Sequence, residues 1–549
     1  MVLHLLAAAL LTLASPTPAA ASTAAPPPID DLPPPLPPPL PPPSVPDDPL
    51  DLLWSHRLQF DAAGEPLVTI RLAQGRSELA FRALAPARLV VRGGDELAVP
   101  AGATLRARAV DALPAVLSWH VLLGEHDYAD RAGLLAARRR WEARGIVPAQ
   151  RAIGGVYGIA GKVVDNRRVL LLAPAETEEG ARALAERLRS AHGVRPEVLP
   201  DLVTPPSGAV EVLDAAGRLL ARGDRLVGLA VDGGQGFELV TGSRAVAYRG
   251  RLHLTIDSAG RLAAVDAIGL EPLLRGLVPS EIPASSPAEA LRAQAVTARS
   301  NVLAQLGTRH LTDPWSLCDE VHCQMYLGIS AETAPTDAAV RATAGEAIFD
   351  ASGTLVDGVY SAVCGGHAED ADLVWPRLPS PSLRGGPDVP DGGAVWDRTL
   401  GDDRRLRAFL DHGPRSWCAA GPRGRWRWER RFTLAELTRL AAPLGVGEVR
   451  DLTVLRRGVS GRALAVELAG TRGRAVVEGE LRIRRLLGNL NSAMFVVDRI
   501  GEAVVLHGGG WGHGAGMCQW GAVGRARAGQ GYREILRAYF AGAQVARIY

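Results

Sequence analysis

From Leu67 to Gly260 the chain is written as short apolar or alternating runs broken by Gly, Asp and Pro. That punctuation constrains the fold more than any other feature. LVTIRLA, ELAFRAL, RLVVRG and TLRARAV lie before Val110; AVEVLDAAG, LVGLAVDGG, GFELVTG and RLHLTIDSAG run on from Ala209. Their length and period are those of strands, which predicts an α+β protein with a mainly β core. Between the two groups the pattern changes. AVLSWHVLL (115–123) reads as a strand, ADRAGLLAARRRWEAR (129–144) as a helix ended by Gly145, and IVPAQRAI as the next strand. VYGIAGKVV and RRVLLLAPA read as a strand pair. TEEGARALAERLRSAH places Ala181, Leu184, Leu188 and Ala191 on one helical stripe, Gly193 caps it, and VRPEVLPDLV follows. A strand–helix–glycine–strand plan thus occurs twice, as a small α+β unit inserted between strands of a larger one.

The chain has 549 residues, 47% hydrophobic and 22% charged, ample for a large core and unlike a disordered or fibrous protein. Net charge is +2, from 61 basic and 59 acidic residues, so no basic field argues for nucleic acid. Of the basic residues only Lys162 is lysine, a bias of genome composition. No internal apolar run approaches the ~20 residues of a membrane helix.

Residues 1–21 (MVLHLLAAALLTLASPTPAAA) read as a signal peptide, with an apolar stretch from Val2 to Leu13 and small residues at Ala19–Ala21. The segment has no Cys, so a lipid anchor is not expected, and it carries no Lys or Arg ahead of the apolar stretch. Export to the periplasm, cell envelope or extracellular space follows. The proline tract from Pro26 to Pro49, within a linker at 22–52, reads as a stiff polyproline spacer.

The chemistry concentrates after residue 270. Ser286-Pro287-Ala288-Glu289 reads as a helix start, with Ser286 as cap and Glu289 closing a capping box. Glu281 has no such structural role. It is expected before the helix, between Val278-Pro279-Ser280 and Ile282-Pro283, where apolar neighbours and rigid prolines would raise and aim its carboxyl. Gly510-Trp511-Gly512-His513-Gly514-Ala515 fits G-x-G-x-x-A, but no βαβ unit surrounds it and its side chains would crowd a pyrophosphate, so no nucleotide is expected. Glycines around Trp511, His513 and Gln519 suit a sugar cleft, with structural support as the alternative. Cys318, His322 and Cys323 form a Cys/His cluster. The five cysteines are an odd number, which leaves at least one unpaired.

These segments together resemble the SpoIID/LytB family, bacterial proteins that act on peptidoglycan. Leu270-Glu271, Val278 to Pro283 and Glu289 to Arg299 resemble its opening run; CDEVHCQMYLG (Cys318 to Gly328), SAVCGGHAED, SGRALAVEL with ELRIRRLLG, and GGGWGHGAGMCQWG (Gly508 to Gly521) follow in register. The resemblance covers about 205–549. It implies an activity on glycan strands, either lytic transglycosylase chemistry or enhancement of an N-acetylmuramoyl-L-alanine amidase. The family's essential glutamate falls on Glu281, as general acid/base. Gln294, Arg299, Tyr326, Ser361 and His367, in the matched motifs, join Trp511, His513 and Gln519 as substrate-binding candidates. The resemblance also implies zinc at Cys318, His322 and Cys323, here at a shortened Cys-to-His spacing. The rival is disulfides, Cys318–Cys323 and Cys364–Cys418, natural after export. No other cofactor is required.

Residues 113–204, the duplicated unit, resemble the glycan-binding SPOR domain; an ordinary inserted α+β domain is the other reading. The expected organisation is a signal at 1–21, a linker at 22–52, a β part at 53–112, the insertion at 113–204 and a SpoIID/LytB-like domain at 205–549. The expected partners are peptidoglycan glycan strands and a cell-wall amidase.

Overall fold

A computed structural model describes residues 48–549 apart from 62–63, 160–161, 193, 195, 243, 376–379, 391–395, 397–398, 414 and 423. The expected signal peptide, most of the expected linker and the expected Gly193 cap lie outside the described residues. The fold is mixed, 28% helix and 39% strand. No helix among the described residues is long and apolar enough to cross a membrane.

The linker expected to run unpacked to residue 52 ends earlier. Asp48 caps a helix over Pro49–Trp54, its carboxylate accepting from Leu50 N–H at 3.0 Å, and Leu50 and Leu53 are buried against Leu226, Ala263, Val265 and Trp315. Apolar residues every third position give this short helix a face to bury, which the proline run before it lacks.

The alternating segments form two antiparallel sheets. One runs Gln59–Phe60, Pro66–Arg76, Leu262–Gly269, Arg251–Ile256, Leu226–Val231, Ala87–Val91, Glu96–Val99, with Leu317–Cys318 added in parallel to Pro66–Arg76. The other contains Ser207–Leu213, Thr104–Leu113, Glu78–Ala83 and Phe237–Thr241 as neighbours. They pack face to face through residues such as Phe81, Val212 and Leu254. Strand Pro66–Arg76 as far as Ala73 and strand Leu262–Gly269 are buried on both faces, because a helical layer covers the side away from the second sheet.

Residues 116–204 leave the second sheet between Thr104–Leu113 and Ser207–Leu213 and form their own four-stranded sheet. Its order is Glu197–Thr204, Val116–Asp127, Arg168–Ala175, Ala149–Ile153, all antiparallel, a βαββαβ arrangement. Helices Arg131–Glu142 and Glu178–His192 connect the strands. Two local expectations are corrected. Val156–Ile159 pairs with Lys162–Asp165 as a separate hairpin, not with the 168–175 strand. The second helix buries Ala181, Ala185 and Leu188, whereas Ala191 is exposed, because the helix meets the sheet one residue round from the expected stripe.

The helical layer centres on Ala288–Gln305, buried on every side from Ala293 to its end, with Gln294, Thr297, Arg299, Ser300, Asn301 and Gln305 buried alongside its apolar residues. Helices Leu270–Glu281, Ala334–Ala342, Gln519–Arg527 and Tyr532–Tyr539 pack on it. The expected capping box is absent. Pro287 occupies the cap position without a side-chain bond, and Glu289 instead accepts from Tyr532 N–H at 2.8 Å and pairs with Arg292. The C-terminal part adds two three-stranded antiparallel sheets, around Phe432, Val466, Phe495 and Leu506.

Candidate functional site

Glu281 is the last residue of helix Leu270–Glu281, not a loop residue. Pro279 is accommodated inside that helix, and Ile282 N–H closes the last turn onto the Val278 carbonyl at 3.1 Å. The helix end therefore aims the carboxyl, a stiffer mount than the proline-flanked loop the sequence suggests. Two other chain segments meet it. At Gly276 a Cβ would stand 2.7 Å from the Tyr326 ring and 3.0 Å from the Gly328 carbonyl, so glycine lets the 318–328 loop lie directly on the helix. That contact brings Met325 N–H to Glu281 Oε1 at 2.8 Å. The second segment, Met517–Cys518, pairs in parallel with Tyr360–Ser361 and starts helix Gln519–Arg527. Gln519 Nε2 there donates to the Glu281 main-chain carbonyl at 2.9 Å and to Gln294 Oε1 at 3.3 Å. The Tyr360 hydroxyl donates to Gln324 Oε1 at 2.8 Å and lies against the Glu281 carboxyl.

Burial pushes the Glu281 carboxyl above its ordinary range; the Met325 N–H, Tyr360 and Gln519 oppose that by favouring the carboxylate. Burial holds Tyr360 well above the usual phenol range, so it stays a neutral donor. A half-buried carboxyl that is easy to protonate and fixed by an N–H can exchange a proton with a substrate oxygen.

Of the sequence candidates, the fold brings Glu281, Gln294 and Gln519 together. Arg299 is fully buried; its guanidinium donates twice to Glu271 at 2.7 Å and to the Glu346 carbonyl at 3.0 Å. Tyr326 is buried against Tyr248, with ring centroids 5.6 Å apart. Ser361 is buried beside Gly512, and His367 is buried edge-on to Phe409. Trp511 is 38% exposed under Arg425, and half-buried His513 meets Trp375 edge-on at 4.6 Å. The glycines between them answer to the backbone. Gly514 has φ +79°, and a Cβ there would reach within 2.2 Å of Arg462; Gly516 has φ +68° and closes to 2.0 Å on the Val359 carbonyl. Sequence reasoning missed Tyr360, Gln324 and the Met325 N–H. Gln324 lies in the CDEVHCQMYLG motif and Tyr360 directly precedes SAVCGGHAED, and their polarity beside apolar residues was the available signal.

The Cys/His loop gathers more than the sequence indicated. His310, eight residues before Cys318, joins Cys318, His322 and Cys323, with one donor atom from each inside a 4.8 Å span. Cys318 Sγ and Cys323 Sγ lie 3.6 and 3.5 Å from His322 Nδ1, and His310 Nε2 lies 3.3 Å from Cys323 Sγ. Cys318 is driven toward thiolate, chiefly by the hydrogen bond from Cys323, whose own thiol is correspondingly pushed up. A pair of soft sulfurs with two imidazoles is a donor set suited to zinc. All five cysteines are free; Cys364 and Cys418, expected as a disulfide, are neighbours with sulfurs 3.7 Å apart against the ~2.05 Å of a bond.

Residues 258–349 match the family model SpoIID, described as Stage II sporulation protein, and residues 369–516 match a domain of unknown function, DUF8618. Among curated proteins the chain is similar to the "Amidase enhancer" of Bacillus subtilis, 28% identical over 288 residues, which are 49% of this chain and 39% of that one. It is 26% identical over 324 residues to an uncharacterized protein of Brachyspira hyodysenteriae, covering 58% of this chain and 76% of that one. It is also 26% identical over 306 residues to "Stage II sporulation protein D" of Bacillus subtilis, covering 51% and 76%. The chain therefore spans well under half the length of the amidase enhancer.

Proposed function

The chain belongs to the SpoIID family through the domain at 258–349, and from that premise we propose that it is an exported cell-wall protein that enhances an amidase by engaging peptidoglycan glycan at the Glu281 site. The similarity to a protein named amidase enhancer carries this reading. The partner would be an N-acetylmuramoyl-L-alanine amidase, and glycan strands would be the surface shared by the two proteins. Trp511, the part-exposed ring beside Arg425, would stack on a pyranose, His513 would bond its hydroxyls, and buried Gln519 would hold the Glu281 end of the site in place. The βαββαβ insertion, in the SPOR-like reading, would add a second hold on glycan and raise its local concentration. Zinc at His310, Cys318, His322 and Cys323 would fasten the loop that carries Met325 against Glu281.

One observation favours a second reading, lytic transglycosylase chemistry. Glu281 is a single, raised, N–H-held carboxyl with neutral Tyr360 beside it. Such a group could protonate a glycosidic oxygen and then take the proton of the C6 hydroxyl as a 1,6-anhydro ring closes, with no second carboxylate.

One experiment separates the two. Purified wild type and Glu281→Gln are incubated with glycan strands, with and without a cell-wall amidase, and products are read by mass spectrometry. Enhancement predicts faster amidase turnover and no anhydro product. Cleavage predicts anhydro-glycan from the wild type, reduced ~10²–10⁴-fold in Glu281→Gln. If wild type neither speeds the amidase nor alters glycan, both readings fail.

A further inference from the structure

We propose a second, structural metal site: a closed Cys₃Asp centre for zinc built from Cys364, Asp388, Cys418 and Cys518. It is independent of the loop cluster and of the glycan reading.

The four residues come from four separate segments. Cys364 follows the Tyr360–Ser361 strand, Asp388 lies in a loop, Cys418 lies in the turn Trp417–Ala420, and Cys518 caps helix Gln519–Arg527. All are at most 2% exposed. One donor atom from each lies within 4.8 Å of all the others. Cys364 Sγ is 3.7 Å from Cys418 Sγ and 3.3 Å from Asp388 Oδ2. A tetrahedral zinc with Zn–S bonds of ~2.3 Å sets its sulfurs ~3.8 Å apart. The spacing is thus that of ligands around one ion.

Backbone and hydroxyl groups converge on all three sulfurs. Cys518 Sγ accepts from Cys364 N–H at 3.1 Å and Gly521 N–H at 3.3 Å, at a helix N-terminus. Cys364 Sγ accepts from Gly366 N–H at 3.4 Å, and Ser416 Oγ lies 3.2 Å from Cys418 Sγ. Donors converging on sulfur are the outer hydrogen bonds that orient metal-bound cysteines. Asp388 is fixed in turn by Arg525 at 2.9 Å and by the Tyr539 hydroxyl at 3.0 Å. Three thiolates and a carboxylate around a divalent ion leave two negative charges. Arg525 and Arg427, the latter bonded to the neighbouring Gly365 carbonyl, offset them. Four protein donors leave no open position, so the ion would be structural rather than catalytic. A Cβ at residue 521 would lie 2.5 Å from Asp388 Oδ2, so Gly521 allows the helix to close on this centre. That closure sets the register of Gln519, one residue past Cys518, against Glu281.

The test uses the full chain, purified with zinc supplied. Metal content is measured for wild type and Cys418→Ser, and cysteine alkylation is mapped on the wild type before and after chelation, without reductant. The centre predicts one fewer zinc per chain in Cys418→Ser. It also predicts that Cys364, Cys418 and Cys518 resist alkylation until zinc is withdrawn. Cobalt(II) alone, added to the apo chain, should give thiolate-to-cobalt charge-transfer absorption that Cys418→Ser weakens. Should Cys418→Ser fail to fold, the alkylation map decides on wild type alone. A Cys364–Cys418 disulfide in that map, or protection unchanged by chelation, overturns the proposal.

Discussion

The two cysteine clusters border the two segments that contact Glu281 and are assembled in opposite ways. His310, Cys318, His322 and Cys323 come from a single stretch, and His322 is exposed. Cys364, Asp388, Cys418 and Cys518 come from four stretches between 364 and 518, all buried. Each ends next to a group that touches Glu281: Met325 lies two residues past Cys323, and Gln519 one past Cys518. The first cluster can gather its donors by folding one loop. The second exists only after its segments have packed, and an ion there would close loops across 364–518, where the unfolded chain loses most freedom. The loop cluster should therefore act mainly on the position of Met325, and the buried cluster mainly on the stability of the whole.

The largest expected effect follows from that contrast. Cys418→Ser should lower unfolding stability by about 3 kcal/mol or more, since a buried ligand set is left incomplete among buried charges. His322→Ala, at an exposed position, should cost about 1 kcal/mol or less. Thermal unfolding of the two purified variants measures both. Equal shifts would erase the distinction between a buried and a surface cluster.

A smaller effect separates the clusters by function. His310→Ala should leave the melting temperature nearly unchanged, yet lower the Glu281-dependent readout, anhydro product or amidase enhancement, roughly 10–100-fold. That is the scale on which ~1 Å of misplacement acts. Its check is the kcat-type readout at saturating glycan beside a melting curve of the same preparation. Loss of stability in proportion to loss of function would mean that the loop is only a structural strap.

The same contrast explains what was legible in the sequence. The strand runs from Leu67 to Gly260 and the duplicated strand–helix plan were readable, because period and turn residues are local signals. Cys318, His322 and Cys323 were readable as a cluster for the same reason. Glu281 stood out by its neighbours, yet its place at a helix end was not readable, since Pro279 suggested a loop and tertiary packing carried the helix through it. Arg299 lies in a matched motif, but only the fold reveals that Glu271 and the Glu346 carbonyl hold it in the core. The pairing of Cys364 with Cys418 was expected as a bond. Asp388 was not expected beside them, because no spacing rule joins residues so far apart.

The smallest effect should invert the order of the first. Burial raises the Glu281 carboxyl, and the Met325 N–H pulls it back down by holding the carboxylate. As a general acid Glu281 works while protonated, so glycan cleavage should be flat at low pH and fall as pH rises through its raised pKa. Disturbing the loop cluster, by Cys323→Ser, loosens the Met325 N–H, leaves the carboxylate less favoured and moves the falling limb to higher pH. One hydrogen bond of about 0.5–1.5 kcal/mol corresponds to a shift of at most about one pH unit. Gln519 divides its amide between the Glu281 main-chain carbonyl and Gln294, and it weighs less on the carboxyl than the Met325 N–H does. A buried-cluster variant that still folds should therefore move the limb in the same direction, but by less. The pH profile of anhydro release for wild type, Cys323→Ser and Cys518→Ser checks the ranking. A limb moved further by Cys518→Ser than by Cys323→Ser would show that the buried cluster, not the loop, sets the charge state of Glu281.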